Sequence, residues 1–161
     1  MAGPKISIAP HSLHPELAEL IEGNLLKSLA ELNQQSENSS IVISANSDSS
    51  GLVGGVTGST SYGWLLVKTL WVCSEVRGTG IGRNLMSAIE EQAVMKGCHS
   101  AWLDTSSTKA RAFYQRLGYA EFGVLSNGMG KEPVDHNRWF MKKTLLAGHA
   151  GWTASSEDPE P

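Results

Sequence analysis

Cysteine is scarce: Cys73 and Cys98 are the only two in 161 residues. That number is too small for a disulfide framework, and no C-x-x-C spacing suggests zinc, so both are expected as reduced, buried, small apolar residues. An excess of basic residues is also missing. Lys and Arg total 13 against 16 Asp and Glu, for a formal charge of -3. A broad basic face able to displace phosphate counterions is therefore not expected, nor is a nucleic-acid partner. No run of about 18 apolar residues occurs, which argues against a spanning helix and a membrane partner. The opening MAGPKISIAP has neither the basic start nor the apolar stretch of a secretory signal, so the expected location is cytoplasmic. His11, His14, His99 and His149 are scattered without metal-ligand spacing, and no metal site is assigned.

What is present describes an ordinary globular chain, 40% apolar and 18% charged, with a mean hydropathy of -0.18. The length suits one domain over 1–146, and the Gly-, Ser-, Glu- and Pro-containing stretch 147–161 reads as a disordered tail. Alternation over Lys5–Ala9 predicts an opening strand. Leu13, Leu17, Leu20, Ile21, Leu25, Leu29 and Leu32 recur at helical spacing, with a break expected near Gly23. Strands 41–45 and 51–57 form a hairpin around a turn at 46–50, and Gly58–Gly63 reads as a second turn. The apolar run Trp64–Cys73 predicts a strand buried on both faces. A helix over 82–96, a strand over 100–104, a helix over 109–117, a strand over 119–125 and a last strand over 137–145 complete a mixed α/β order. Trp64, Trp71, Trp102 and Trp139 fall on strands as core residues, although Trp71 could also wall an acceptor site.

Between the run at 64–73 and the next helix lies Arg77-Gly78-Thr79-Gly80-Ile81-Gly82. A glycine-rich turn opening a helix brings backbone N-H groups and the positive helix end to one point, which suits an anion. The Walker lysine is missing after Gly82, where Arg83 stands, and Leu85 occupies the third glycine position of the dinucleotide fingerprint, so neither ATP nor NAD is supported. Arg83 in the first helical turn opposes the helix dipole unless an anion is near; otherwise it is a solvated surface arginine.

Leu70-Trp71-Val72, Arg77 to Gly82, Gly97-Cys98, Leu103-Asp104-Thr105 and Phe113-Tyr114-Gln115-Arg116-Leu117-Gly118-Tyr119 follow one another in an order and spacing that resemble the GNAT superfamily of N-acetyltransferases. The resemblance covers roughly 41–145. It implies an α/β fold with a mixed, largely antiparallel sheet of six to seven strands, flanking helices, and a splay between the fourth and fifth strands, here 64–73 and 99–105. It implies acetyl-CoA as cosubstrate. Backbone groups of Val72 and Ser74 would then pair with pantetheine or the acetyl carbonyl, and the amides of Arg77, Gly78, Thr79, Gly80, Ile81, Gly82 and Arg83 would hold the pyrophosphate. Tyr114 stands where the superfamily has the tyrosine facing the departing thiolate, while Tyr119 reads as strand core. Ser106 and Ser107 replace the asparagine the family often has there; Ser107 could bind pantetheine or cap the helix. The family is often dimeric, so a homodimer is a further expectation.

Acyl transfer to an amine also needs a base, because freeing an amine of pKa about 10.4 at neutral pH costs roughly 4 to 5 kcal/mol. Glu75, Asp104, His136 and a water chain are the alternatives. No Gly-x-Ser-x-Gly elbow marks a nucleophile, so direct transfer is preferred over an acyl-enzyme. The acceptor is read as a small-molecule amine, against a protein lysine or N-terminus, or a non-catalytic acyl-CoA sensor. Glu16, Glu19 and Glu22 could attract a cationic acceptor but are more simply a solvated helix face.

Overall fold

In the computed structural model, which describes residues 3–4, 6–32, 38–48 and 51–145, contacts divide the chain into Met1–Gln35 and Ser36–Pro161. The expected tail at 147–161 and residues 49–50 of the expected turn lie outside the described residues.

In the first unit, a short turn at His11–Leu13 leads into helix α1, His14–Leu32. The helix runs unbroken through Gly23, so the expected break does not occur. Nothing lies within 4 Å of a Cβ built there. Glu16, Glu19 and Glu22 are exposed, as the solvated-face reading requires. Ile6 and Ile8 are also exposed, at 99% and 96%, and residues 6–10 form no strand. Alternation fails as a predictor here because a strand exists only where another edge pairs with it.

The second unit is a six-stranded sheet of β1 (Ser39–Ser47), β2 (Gly51–Ser61), β3 (Trp64–Val72), β4 (Ser100–Thr105), β5 (Ala120–Ser126) and β6 (Asn137–Thr144). Its spatial order is β1-β2-β3-β4-β6-β5. All neighbours are antiparallel except β3 and β4. Helices α2 (Ile81–Met95) and α3 (Thr108–Arg116) connect β3 to β4 and β4 to β5. Because no opening strand forms among the described residues, the expected fourth and fifth strands are β3 and β4. No helix of the described residues is long and apolar enough to cross a membrane.

Glycine in β2 serves close packing rather than turning. The stretch expected as a turn from Gly58 continues as strand to Ser61, and the reversal takes only Tyr62 and Gly63, at φ 49° and 77°. A Cβ on Gly58 would stand 2.7 Å from the Leu66 carbonyl oxygen and 3.0 Å from Ile89 Cδ1. Helix α2 can lie that near because the side chain is missing. Val56, Leu65, Met86, Ile89, Leu103 and Met141 form the fully buried centre.

Strand β3 is not buried on both faces, contrary to expectation. Leu65 and Val67 are buried, while Trp71 is 45% exposed. Thr57 pairs with Thr69 but Gly58 with Val67, so Lys68 is an extra residue that forms a bulge. The bulge reverses the alternation, and Leu70 and Val72, rather than odd-numbered residues, pack against the core beyond it. None of Trp64, Trp71, Trp102 and Trp139 is fully buried, so the expectation of core tryptophans holds only in part. Tyr119, by contrast, is buried as expected.

Gly58→Ala should lower unfolding stability by about 1 to 3 kcal/mol through overpacking, whereas Gly23→Ala should gain up to about 1 kcal/mol of helix propensity. Urea midpoints for the two variants check the pair. An unchanged midpoint in Gly58→Ala would show that α2 is free to move away from β2.

Candidate active site

Strands β3 and β4 pair in parallel only at Trp64 with Ser100, Leu65 with Ala101 and Leu66 with Trp102. Beyond that point the ladder ends and a wedge opens toward Val72 on one side and Thr105 on the other. The expected splay is therefore present.

At the upper end of β3, Cys73 N-H donates to Val53 at 2.9 Å, and a short helical turn, Ser74–Val76, leads to Arg77. The Arg77 side chain folds back, its Nε donating to the Val72 carbonyl at 3.0 Å, and Thr79 Oγ1 donates to the Val76 carbonyl at 2.7 Å. Gly78 and Gly80 have φ of 82° and 96°, a conformation that side chains resist. Gly80 is the N-cap of α2 and offers no side-chain cap, and no acidic residue lies in the first turn. The first internal amide bond of the helix is Asn84 N-H to Gly80, at 3.0 Å, so the amides of Ile81, Gly82 and Arg83 precede the helical ladder. A Cβ on Gly78 or Gly80 would meet nothing within 4 Å. A helix start without a side-chain cap, approached by glycines with open space beside them, is an arrangement that suits an anion.

Helix α3 closes the other side. Ser107 caps it, accepting from Ala110 N-H at 3.2 Å, which leaves its own hydroxyl proton for donation. Phe113 brings α3 toward the cradle: a Cβ on Gly82 would lie 3.5 Å from its ring and 3.7 Å from Val72. Phe113 and Tyr114 meet edge to face at 5.3 Å. Tyr114 is buried, and burial, helped by the Asp104 charge, raises its phenol above the ordinary value of 10.0. It is therefore a neutral donor throughout the neutral range.

The base candidates separate. Glu75 accepts from the Cys73 thiol and from Ser74 Oγ, the latter at 2.8 Å. These bonds, the Cys73 thiol foremost, lower it to about 2, which makes it a poor proton acceptor near neutrality. Asp104 is bound by Arg138 at 2.5 Å. His136 Nε2 lies 3.1 Å from Ser106 Oγ at the end of β4. Spacing in the sequence could not bring residues 106 and 136, or 104 and 138, together; only the β4–β6 pairing does so.

On the sheet face that Trp102 shares with Asp104, the residues Trp64, Trp102, Phe122, Phe140 and Lys142 line an open hollow of about 450 Å³. Phe122 reaches it from a bulge in β5, which alternation could not reveal. Among the described residues no three potential metal ligands come together.

This fold is shared with solved acetyltransferases. The sequence profile of the acetyltransferase (GNAT) family matches residues 11–119, and the chain belongs to that family. An acetyltransferase of Agrobacterium fabrum is 35% identical over 91 residues, 56% of this chain and 66% of that protein. The blasticidin-S acetyltransferase of Streptomyces morookaense is 39% identical over 69 residues, 42% of this chain and 51% of that one. The chain thus spans about two thirds and half of these relatives. A crystal structure of an acetyltransferase from Bacillus cereus superimposes with a TM-score of 0.72 at 27% identity, covering 88% of this chain and 98% of that chain.

The two thiols give a check on this geometry. Cys98 is buried, and burial raises its thiol above the ordinary value of 9.0, whereas Cys73 is only half-buried. Iodoacetamide at pH 8 should add one group to the native protein, at Cys73, and a second only after unfolding. Equal labelling of both by mass spectrometry would contradict the packing around Cys98.

Proposed function

We propose that the protein is an N-acetyltransferase that moves the acetyl group of acetyl-CoA directly to the amine of a small molecule. The observation that carries this reading is the wedge between β3 and β4, flanked by the uncapped start of α2 and by Tyr114 of α3. An extended pantetheine arm takes the place of the missing ladder. Val72 offers its backbone there, although Arg77 already uses its carbonyl, and Ser74 and Ser107 offer further polar groups. The amides from Arg77 to Arg83 hold the pyrophosphate, and the positive charge of Arg83 in the first turn becomes favourable beside it.

Acetyl-CoA supplies an activated acetyl carbon. The neutral amine attacks that carbon, the new C-N bond forms and the C-S bond breaks. Tyr114 donates a hydrogen bond to the developing thiolate. A thiol has a pKa of about 8.5, below that of the buried phenol, so the tyrosine keeps its proton, and the CoA thiolate leaves hydrogen-bonded to it and takes a proton from solvent. The ammonium proton passes to a base. With Glu75 made a weak base by its low pKa and Asp104 bound to Arg138, His136, hydrogen-bonded to Ser106, is the acceptor in this reading. Support for a small-molecule acceptor is the likeness to the blasticidin-S acetyltransferase together with the aromatic-lined hollow beside Asp104.

Release of free CoA thiol from acetyl-CoA against a panel of small amines and peptides tests the proposal. Tyr114→Phe should lower kcat by about a hundredfold or more with acetyl-CoA affinity retained. Turnover only with peptides would overturn the acceptor assignment, and binding without any turnover would make the protein a sensor. Gly80→Asp should abolish acetyl-CoA binding by placing a carboxylate in the cradle; retained affinity would overturn the cradle.

Because the Tyr114 phenol lies above 10.0, its ionisation should produce no fall in kcat below about pH 10. A descending limb near pH 8 that disappears in Tyr114→Phe would contradict the environment assigned to it.

A further inference from the structure

Tyr114 lies in the last turns of a helix of nine residues, too short to hold a side chain rigidly by its own backbone bonds. Its surroundings contain a polar cluster that the reaction does not use. Glu90, on α2, accepts from Tyr119 Oη at 2.8 Å through one carboxylate oxygen and from Lys143 Nζ at 2.6 Å through the other. Glu90's side chain is only 13% exposed, and Lys143 also lies over the Tyr119 ring at 5.6 Å. Three separate segments therefore meet at one carboxylate: α2, Tyr119 beyond the turn that ends α3, and β6.

The cluster reaches Tyr114 by two routes. Tyr119 packs its ring against that of Tyr114, edge to face, with centroids 5.9 Å apart. Its backbone N-H also donates to the Tyr114 carbonyl at 3.1 Å, across the turn made by Gly118 at φ 90°. Ring and carbonyl of Tyr114 are thus both referred to a single neighbour, whose phenol is tied to α2. Burial, foremost, and the Glu90 charge hold the Tyr119 phenol far above its ordinary value, so that it always acts as a donor.

We propose that Glu90 is a positioning residue, which through Tyr119 fixes the ring of Tyr114 toward the β3–β4 wedge. This rests on the reading of Tyr114 as donor to the thiolate. A partly buried carboxylate held by one cation and one phenol is well suited to the task, since all three partners lose hydrogen bonds if the arrangement shifts. Glu90 sits four residues after Met86 and next to Ile89 on the inward edge of α2, which makes it accessible to the core without being part of the apolar stripe.

Tyr119→Phe removes one oxygen and keeps the ring, and carries the test even if Glu90→Ala does not fold. It should lower kcat on the order of tenfold, short of the hundredfold loss that a full ångström of displacement can cause, with KM for acetyl-CoA unchanged. In a Tyr114→Phe background the same substitution should have no further effect on kcat, because there is no longer a hydroxyl to position. Glu90→Gln, which keeps an acceptor for Tyr119, should retain more activity than Glu90→Ala. Wild-type kcat in Tyr119→Phe, a rise in KM matching any fall in kcat, or an equal loss in both backgrounds would overturn the positioning role. An unimpaired Tyr114→Phe would instead overturn the donor reading beneath it, so the two failures are distinguishable.

Discussion

Parallel pairing between β3 and β4 stops after three residue pairs, and the rest of the site is arranged around that interruption. Continuing the ladder would close the sheet and leave no room for an extended ligand. Each strand stays ordered beyond the last pair because it has a partner on its other side: β2 pairs with β3 as far as Val72, and β6 pairs with β4 as far as Thr105. The missing hydrogen bonds are therefore confined to the two facing edges, where backbone donors and acceptors are left for an extended chain to satisfy.

Helices α2 and α3 hold the wedge open. The close approach of α2 to β2, permitted by glycine at 54 and 58, sets where its positive end emerges beside Val72. Helix α3 is shorter and is fastened from outside. Arg111 and Gln115 both donate to Glu121, at 2.6 and 3.0 Å, and Arg111 lies 4.8 Å over the Trp139 ring. On its far side the Glu90 cluster ties the residue just beyond it to α2. These polar bonds add to the apolar contacts that Ala110, Phe113 and Tyr114 make with the core. Burial raises the Tyr114 phenol and hydrogen bonds lower the Glu75 carboxyl, so the two titratable groups near the wedge are moved further apart than their ordinary values already set them.

Much of this was legible in the residues themselves. Helices α2 and α3 and the strands around them fall within one or two residues of their expected limits wherever apolar spacing and a terminating glycine agree, as at Gly97 and Gly118. Expectation failed where local pattern was asked to stand for pairing. The alternation at 5–9 yields no strand over its described residues 6–9. The run Gly58–Gly63 reads as a turn by composition, yet four of its residues belong to β2, because a helix packs against the space that the absent side chains leave. The bulges at Lys68 and Phe122 change which residues share a face, and nothing in the alternation announces them.

The glycine turn, the order of motifs and the position of Tyr114 were fixed by the sequence, since each depends on contacts between near neighbours: positive φ at glycine, the start of a helix, the spacing of its face. The company each group keeps was decided by tertiary structure alone. Sequence leaves Glu75, Asp104, His136 and a water chain open as the base; folding binds the first to Cys73 and Ser74, the second to Arg138, and brings the third to Ser106. Basicity and orientation depend on partners that lie up to 34 residues apart, and only strand pairing determines which of them meet.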